Sequence, residues 1–508
     1  MFIFLNKIKT ALILINLFIF IHKINAQETA NVEILNSTEG EMFYENEEPV
    51  RKLKGKVKLR HKGTLMYCDE ATIYANNNIF AQSNVKIVRP KGTTIVGEIL
   101  NYYSAQKLAH IQGNVILTDK KAKLYTPDIT YDMNNETGYF TNGGKVINDS
   151  TTITSKHGTY YTETQQVFFK YNVVVDNPNY KLKSDTLEYN TKIKRNYFYK
   201  GTTIENDSGY IWCNKGWYDE KTNTASFGVG TIIYNMPQWL MTDSIYYEKT
   251  TGFGRIFKTF EYHDTAAHIH VFGDTAEYFN KSKRILAFKR PLLIYENDNK
   301  NPLFLRANTL ESFEIDSTNK VFNGFKNVRI FNEEFQAVCD SFNFKTIDSL
   351  MRMRGEPFTW LIDKDSKKIS QLKGEKIFLQ MENRQPSKIY AHKESMMIQE
   401  EIPTYYNQIA ADTIIIFLKN KKIDFMNAFY NAKSIYYAED APKGYLGLNR
   451  SESHILNAYF NDSKLDRIVF LEQPKATFYP VKDINLTNSR LDRFFWNINQ
   501  RPKSKEDL

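Results

Sequence analysis

The sequence predicts an all-β protein, a ladder of repeats of about 30 residues with two strands in each. Composition is the first observation behind this. There are 32 Tyr and 35 Phe against 23 Gly and 14 Pro, and Asn-rich turns separate short alternating segments, as expected of half-buried pleated surface. The second is a recurring signature: a small residue, then Asp, Glu or Asn, then an apolar residue two on and often an aromatic four on. The third is a half-signature about midway to the next anchor, running apolar-polar-apolar behind Asn or Gly. A fixed period of this size marks a repeat architecture.

Taken in order, residues 1–26 read as a cleavable signal peptide. Lys7 and Lys9 form a basic start, Ala11 to Ile21 is apolar apart from Asn16, and Ile24-Asn25-Ala26 offers a cleavage site before Gln27. The apolar core is shorter than the roughly 20 residues of a membrane span, so a retained anchor is the lesser expectation. The formal charge is +9; removing Lys7, Lys9 and Lys23 leaves +6. With no dense Lys/Arg block, nucleic acid is not an expected partner.

Residues 27–52 are a lead-in. The regular repeats run over 53–278, with clear anchors at Asp69, Asp185, Asp243 and Asp274, and weaker ones at Glu98, Asp128, His157 and Asn214. These stand about 28 to 31 residues apart, within the range of such repeats. Over 279–491 the ladder continues in divergent form through Asn308, Asp340, Glu375 and Asp412, at intervals of 32 to 37, from longer loops or a decaying pattern. Residues 492–508 divide into Phe494-Phe495-Trp496, expected to cap the last rung, and a polar, disordered tail. At roughly 4.8 Å per rung, a dozen to fourteen rungs give an elongated body of about 60 to 70 Å.

Period-2 geometry places the +2 and +4 residues of each anchor on one face. Leu187 with Tyr189 and Ile245 with Tyr247 therefore point inward, while Thr186, Glu188 and Ser244 point out. The second half-signature contributes Val85 and Ile87, Val115 and Leu117, and Val173 and Val175 to the inward set. Cys68, Cys213 and Cys339 all occupy the small slot before the anchor, where other repeats have Gly, Ser, Thr or Ala. They are expected to be buried fillers rather than a disulfide framework or a metal site.

No catalytic residues are expected. The anchor carboxylates recur once per rung, whereas catalysis needs one special constellation; a turn or backbone-capping role suits them better. His268 and His270 form an H-x-H pair with His263 nearby, but no further ligand completes a zinc site at fixed spacing. No metal and no cofactor are expected.

The matching stretches Gly55-Lys56-Val57-Lys58-Leu59, Cys68-Asp69-Glu70-Ala71-Thr72-Ile73-Tyr74 and Gly113-Asn114-Val115 resemble the OstA-like (LptA) family, from about Leu53 to Tyr278. That resemblance implies an open β-jellyroll, a β-taco, whose interior binds the acyl chains of lipopolysaccharide, in the periplasm and in association with the outer membrane. On it, the ten inward residues named above are the expected lipid contacts. Lipopolysaccharide and other lipopolysaccharide-transport proteins, reached through exposed strand edges at the ends, are the expected partners, with end-to-end self-association. The chain is longer than a minimal member and lacks the C-terminal strands of a membrane barrel. Two other readings stay open: a closed structural β-solenoid, and a β-helix that binds or processes polysaccharide. The latter needs a charged cluster confined to a few rungs.

Overall fold

The computed structural model describes residues 31–508 except 121, 208, 297–300, 317, 441–443 and 462–463; the signal-peptide expectation lies outside the described residues. Apart from short 3₁₀ turns, the described elements are 40 β-strands, all pairing antiparallel in the registers found. The chain divides into two compact units, residues 1–178 with 186–192, and residues 179–185 with 193–508.

The first unit shows how the repeat works. Strand Glu48–His61 pairs with Thr64–Ile73, which pairs with Ile79–Val88, and so on through Thr94–Tyr103, Leu108–Asp119 and Ala122–Asp132. Each strand bends in the middle, so its two halves lie on different walls. A first wall holds Ala71, Ile73, Leu100 and Tyr102; a second holds Val57, Leu59, Val85 and Ile87, all buried. The two half-signatures are thus the corners of successive strands, not separate straight strands, and each strand serves both walls.

The bend has a specific backbone cause. Gly55–Lys56, Ser83–Asn84 and Gly113–Asn114 are consecutive pairs with positive φ, conformations that favour Gly and Asn. Each pair interrupts the register: Lys54 pairs with Glu70 and Val57 with Cys68, leaving Gly55–Lys56 opposite Asp69 alone. Two residues against one is a β-bulge, which bends the strand and increases its twist. The same device recurs in the second unit at Lys200–Gly201, Lys326–Asn327 and Lys393–Glu394. Gly113 shows why the choice is restricted. Its φ is +83°, and a Cβ there would stand 2.7 Å from Glu98.

The anchor residues sit on the intervening strands and tie the corners together. Asn84 Nδ2 donates to Asp69 Oδ2 (2.6 Å), Asn114 Nδ2 to Glu98 Oε1 (2.8 Å) and Asn142 Nδ2 to Asp128 Oδ1 (2.8 Å). The expected backbone-capping role is therefore a side-chain one at these corners: one signature carries the acceptor, the next the amide. The long interval from Glu375 to Asp412 contains a longer strand, and long strands continue beyond it. Gln385–Ile402 and Gly444–Asn461 have 18 residues each, against ten in Thr64–Ile73.

The slot before each anchor points into the corner. Cys68, Cys213 and Cys339 are buried there and unpaired, and burial pushes each thiol up to about 12. Maleimide at mildly alkaline pH should therefore leave all three unmodified in the folded chain and label all three in guanidinium chloride. A thiol that reacts rapidly in the native protein would contradict the corner assignment.

Residues 481–508 do not cap the last rung, and no disordered tail follows. They run back as an ordered strap across the outer face of the second wall in the second unit. Gln408, Gln371 and Arg329, on successively earlier strands, bind the strap backbone at residues 489–491, 495–497 and 500–507. Leu491 packs among Met396, Ile398, Ile435, Tyr437 and Leu448.

Candidate functional site

The space between the walls is the candidate site, and the two units furnish it differently. In the first unit, Val85, Ile87, Val115, Leu117, Val173 and Val175 line the second wall, and Leu187 and Tyr189 the first. Each is at most 2% exposed. Sequence parity therefore selected inward residues correctly, and the fold brings the two sets to one interior, but that interior is filled by its own side chains.

It is also sealed. Opposite the corners, where the strand ends of the two walls meet, tyrosines of the first wall bond to polar residues ending the second. Tyr102 Oη lies 2.6 Å from His61 Nδ1. Arg89 Nη1 donates to Tyr131 Oη (3.3 Å), Tyr160 Oη donates to Asp119 Oδ2 (2.6 Å), and Asn148 Nδ2 donates to Tyr189 Oη (3.0 Å). Burial raises the Tyr102 hydroxyl to about 12, and burial together with Asp119 raises Tyr160 further. The phenols thus stay neutral and able to donate near neutral pH. Sequence reasoning missed this seam, although Tyr102, Tyr131, Tyr160 and Tyr189 recur at one constant interval along the chain. That strict spacing was the available signal.

In the second unit the bent strands between Thr231 and Leu310 break at the corner into pieces of four to six residues, and the interior loosens. Ile245 is 7% exposed and Tyr247 only half-buried. Beyond them Tyr262, Val271, Ile285, Leu293, Leu310 and Phe322 line a narrow cleft with a cavity volume of about 40 Å³, well below the usual size of ligand sites. Two ion pairs reach its lining, Arg284 Nε with Glu311 Oε1 (2.5 Å) and Lys320 with Asp264. Lys320 Nζ contacts the buried Asp264 carboxylate, which also accepts from Gln238 Nε2 (3.0 Å) and the Ala267 amide (2.9 Å). Burial works against the charge of Asp264, but Lys320 and these donors outweigh it and hold the carboxyl below its ordinary value.

The histidines lie on the other side of this wall. His263 Nδ1 is 2.6 Å from His270 Nδ1, and Trp239 stacks on His263 at 3.8 Å. His268 sits in the preceding turn with positive φ and is not on the strand, so the H-x-H reading fails: His270 faces His263 across the hairpin. No group of three or more metal-ligating side chains occurs among the described residues.

Residues 29–185 match the family model described as OstA-like protein. This shows the resemblance for that segment, which starts earlier and stops sooner than the 53–278 expected. No curated protein matches the chain. Among solved structures it is similar to LptH of Pseudomonas aeruginosa, described as the LptA-homologous periplasmic component of the conserved lipopolysaccharide transport device. The two share 15% identity over 20% of this chain and 77% of that one, at a TM-score of 0.19.

Proposed function

We propose that this chain, with its OstA-like segment, is a non-enzymatic periplasmic scaffold that holds lipopolysaccharide by its acyl chains and passes it toward the outer membrane. The observation that carries the reading is the half-open apolar cleft between the walls of the second unit. Burying acyl chain contributes about 0.8 kcal/mol per CH₂, so each methylene that enters as the cleft widens adds to affinity. Entry into the first unit costs more. Parting four seam hydrogen bonds, two of them to charged groups at about 1.5–3 kcal/mol and two neutral at about 1 kcal/mol, gives up roughly 5–8 kcal/mol before any chain is bound. The cleft is therefore the primary seat. Val85, Ile87, Val115, Leu117, Val173, Val175, Leu187 and Tyr189 meet lipid only when the seam parts, whereas Ile245 and Tyr247 border the looser stretch.

Partners of the same transport system would add strands at exposed edges. Among the described residues, strand Glu39–Glu45 pairs only with Glu48–His61 and is exposed throughout, with Met42 and Tyr44 in the open. At the other end of the chain, Lys475–Pro480 likewise pairs only with Gly444–Asn461. Such edges suit β-augmentation, by partners or by a second copy.

A photoreactive residue placed at Val271, Val115 or Glu188 in living cells tests the lipid reading. Val271 should crosslink lipopolysaccharide strongly, Val115 weakly and the outward Glu188 hardly at all. Equal yields from all three positions, or none from Val271, would overturn it.

A further inference from the structure

The outer face of the second wall in the second unit carries a continuous apolar row, of which the strap covers only part. Under the strap the row includes Trp360 and Ile398, both buried, together with Gln336, Gln371 and Gln408. Paired residue by residue across neighbouring strands, it continues past the strap through Phe331, Phe304, Ile294, His270, His263 and Trp239. These are only partly buried, and in the adjoining row Met241 is 36% exposed. The corresponding outer face of the first unit is different. Paired across its strands it runs Lys58, Tyr67, Lys86, Val96, Ile116, Tyr125 and Lys145, so exposed lysines interrupt the apolar side chains there.

The covered part shows what this face binds. Gln408 Nε2 donates to Ser489 O (2.9 Å) while its Oε1 accepts from Leu491 N (2.9 Å). Gln371 does the same with Phe495 O (2.7 Å) and Asn497 N (2.6 Å). Each glutamine amide reads the carbonyl of one residue and the N–H two residues on, as a peptide group of a neighbouring strand would. Apolar side chains of the strap, Leu491, Phe494 and Trp496, pack beside them. Farther along, Arg329 Nε donates to Asp507 O (3.0 Å).

Beyond that point one donor on the neighbouring strand stands without an acceptor. Arg306, paired with Arg329, has a buried Nε with no hydrogen-bond partner. The buried Nε2 atoms of His270 and His263 make no well-directed hydrogen bond either, with Glu296 and Glu261 standing 3.3 and 3.7 Å off. A buried donor left unmatched is costly, by about 1–3 kcal/mol.

We infer that the uncovered row from Phe331 to Trp239 is a docking surface for an extended segment of a partner protein. The segment would cross the strands as the strap does, with a backbone carbonyl toward Arg306 and large apolar side chains on the row. This surface is independent of the lipid reading, since it lies on the opposite side of the wall from the cleft.

The test uses the full chain and a fluorescein-labelled peptide with the sequence of residues 484–508, read by anisotropy. The peptide should bind, and Phe304→Asp or Trp239→Asp should weaken it at least tenfold. Unchanged far-UV circular dichroism and thiol protection would show the variants folded; where either variant unfolds, Met241→Lys carries the test on the adjoining row. No binding, or binding indifferent to these substitutions, overturns the inference. So does peptide that merely displaces the resident strap, seen as faster hydrogen exchange in residues 484–508. Row-dependent binding to phosphatidylethanolamine–phosphatidylglycerol vesicles without peptide binding would assign the face to a membrane surface instead. Row-dependent dimers in sedimentation would assign it to a second copy.

Discussion

Replacing Lys320 with methionine is expected to destabilise the second unit by about 3–5 kcal/mol, the usual cost of removing one partner from a buried ion pair. Asp264 is 2% exposed, and without the ammonium its charge keeps only Gln238, the Ala267 amide and a long contact to Tyr262 at 3.5 Å. The pH dependence gives a second readout. Because the Asp264 carboxyl is held below its ordinary value, its contribution is fully present above the unfolded-state value of about 3.9 and is lost as pH falls through the lower folded value. In Lys320→Met the carboxyl rises instead, so mild acid should narrow the stability gap between variant and parent. Urea unfolding at neutral and acidic pH measures both effects. A variant as stable as the parent at neutral pH would mean that the pair contributes nothing to holding the cleft.

The second large effect belongs to the seam. Tyr160→Phe removes the bond from the buried Asp119, and a hydrogen bond to a charged group is worth about 1.5–3 kcal/mol. Tyr189→Phe removes a neutral partner of Asn148 and should cost about 1 kcal/mol. Hydrogen exchange in strands Leu108–Asp119 and His157–Tyr161 should quicken in the first variant. The combined Phe variant at Tyr102, Tyr131, Tyr160 and Tyr189 should go further and admit an environment-sensitive fatty acid to the first unit. If the combined variant keeps parental exchange rates and takes up no more probe, side-chain packing alone closes the walls.

The corners were legible because each imposes local backbone rules. A positive-φ pair restricts Ser83–Asn84 and Gly113–Asn114 to permissive residues, and their amides call for an acceptor at Asp69 and Glu98. Amide and acceptor are close in the chain, with Asn84 and Asn114 following their carboxylates within the same repeat, so the pairing leaves a visible mark. Alternation likewise identified Leu187 and Tyr189 as inward. The seam was harder to see because its partners come from different walls: Asp119 and Tyr160 are 41 residues apart, and neither residue type announces the other. The strap was harder still. Gln371 and Gln408 lie on an outer face where parity predicts solvent, and their partners belong to the far end of the chain. Nothing local distinguishes a glutamine that binds a passing backbone from one that faces water. Sequence parity also gave Val85 and Tyr247 the same standing, since it reports direction and not how closely two walls approach.

Each corner bulge also acts as a reset for pairing. Because two residues always stand opposite one at the bend, residues added at the hairpin ends leave the alignment at the corner untouched. Within the second unit, strands lengthen from 12 residues at Lys320–Phe331 to 19 at Lys422–Asp440, and each keeps its two-against-one bulge. Breadth and stacking are therefore separate degrees of freedom in this architecture. Lengthening one hairpin widens a single rung, whereas adding or removing a whole bent pair changes the reach of the ladder and keeps its cross-section.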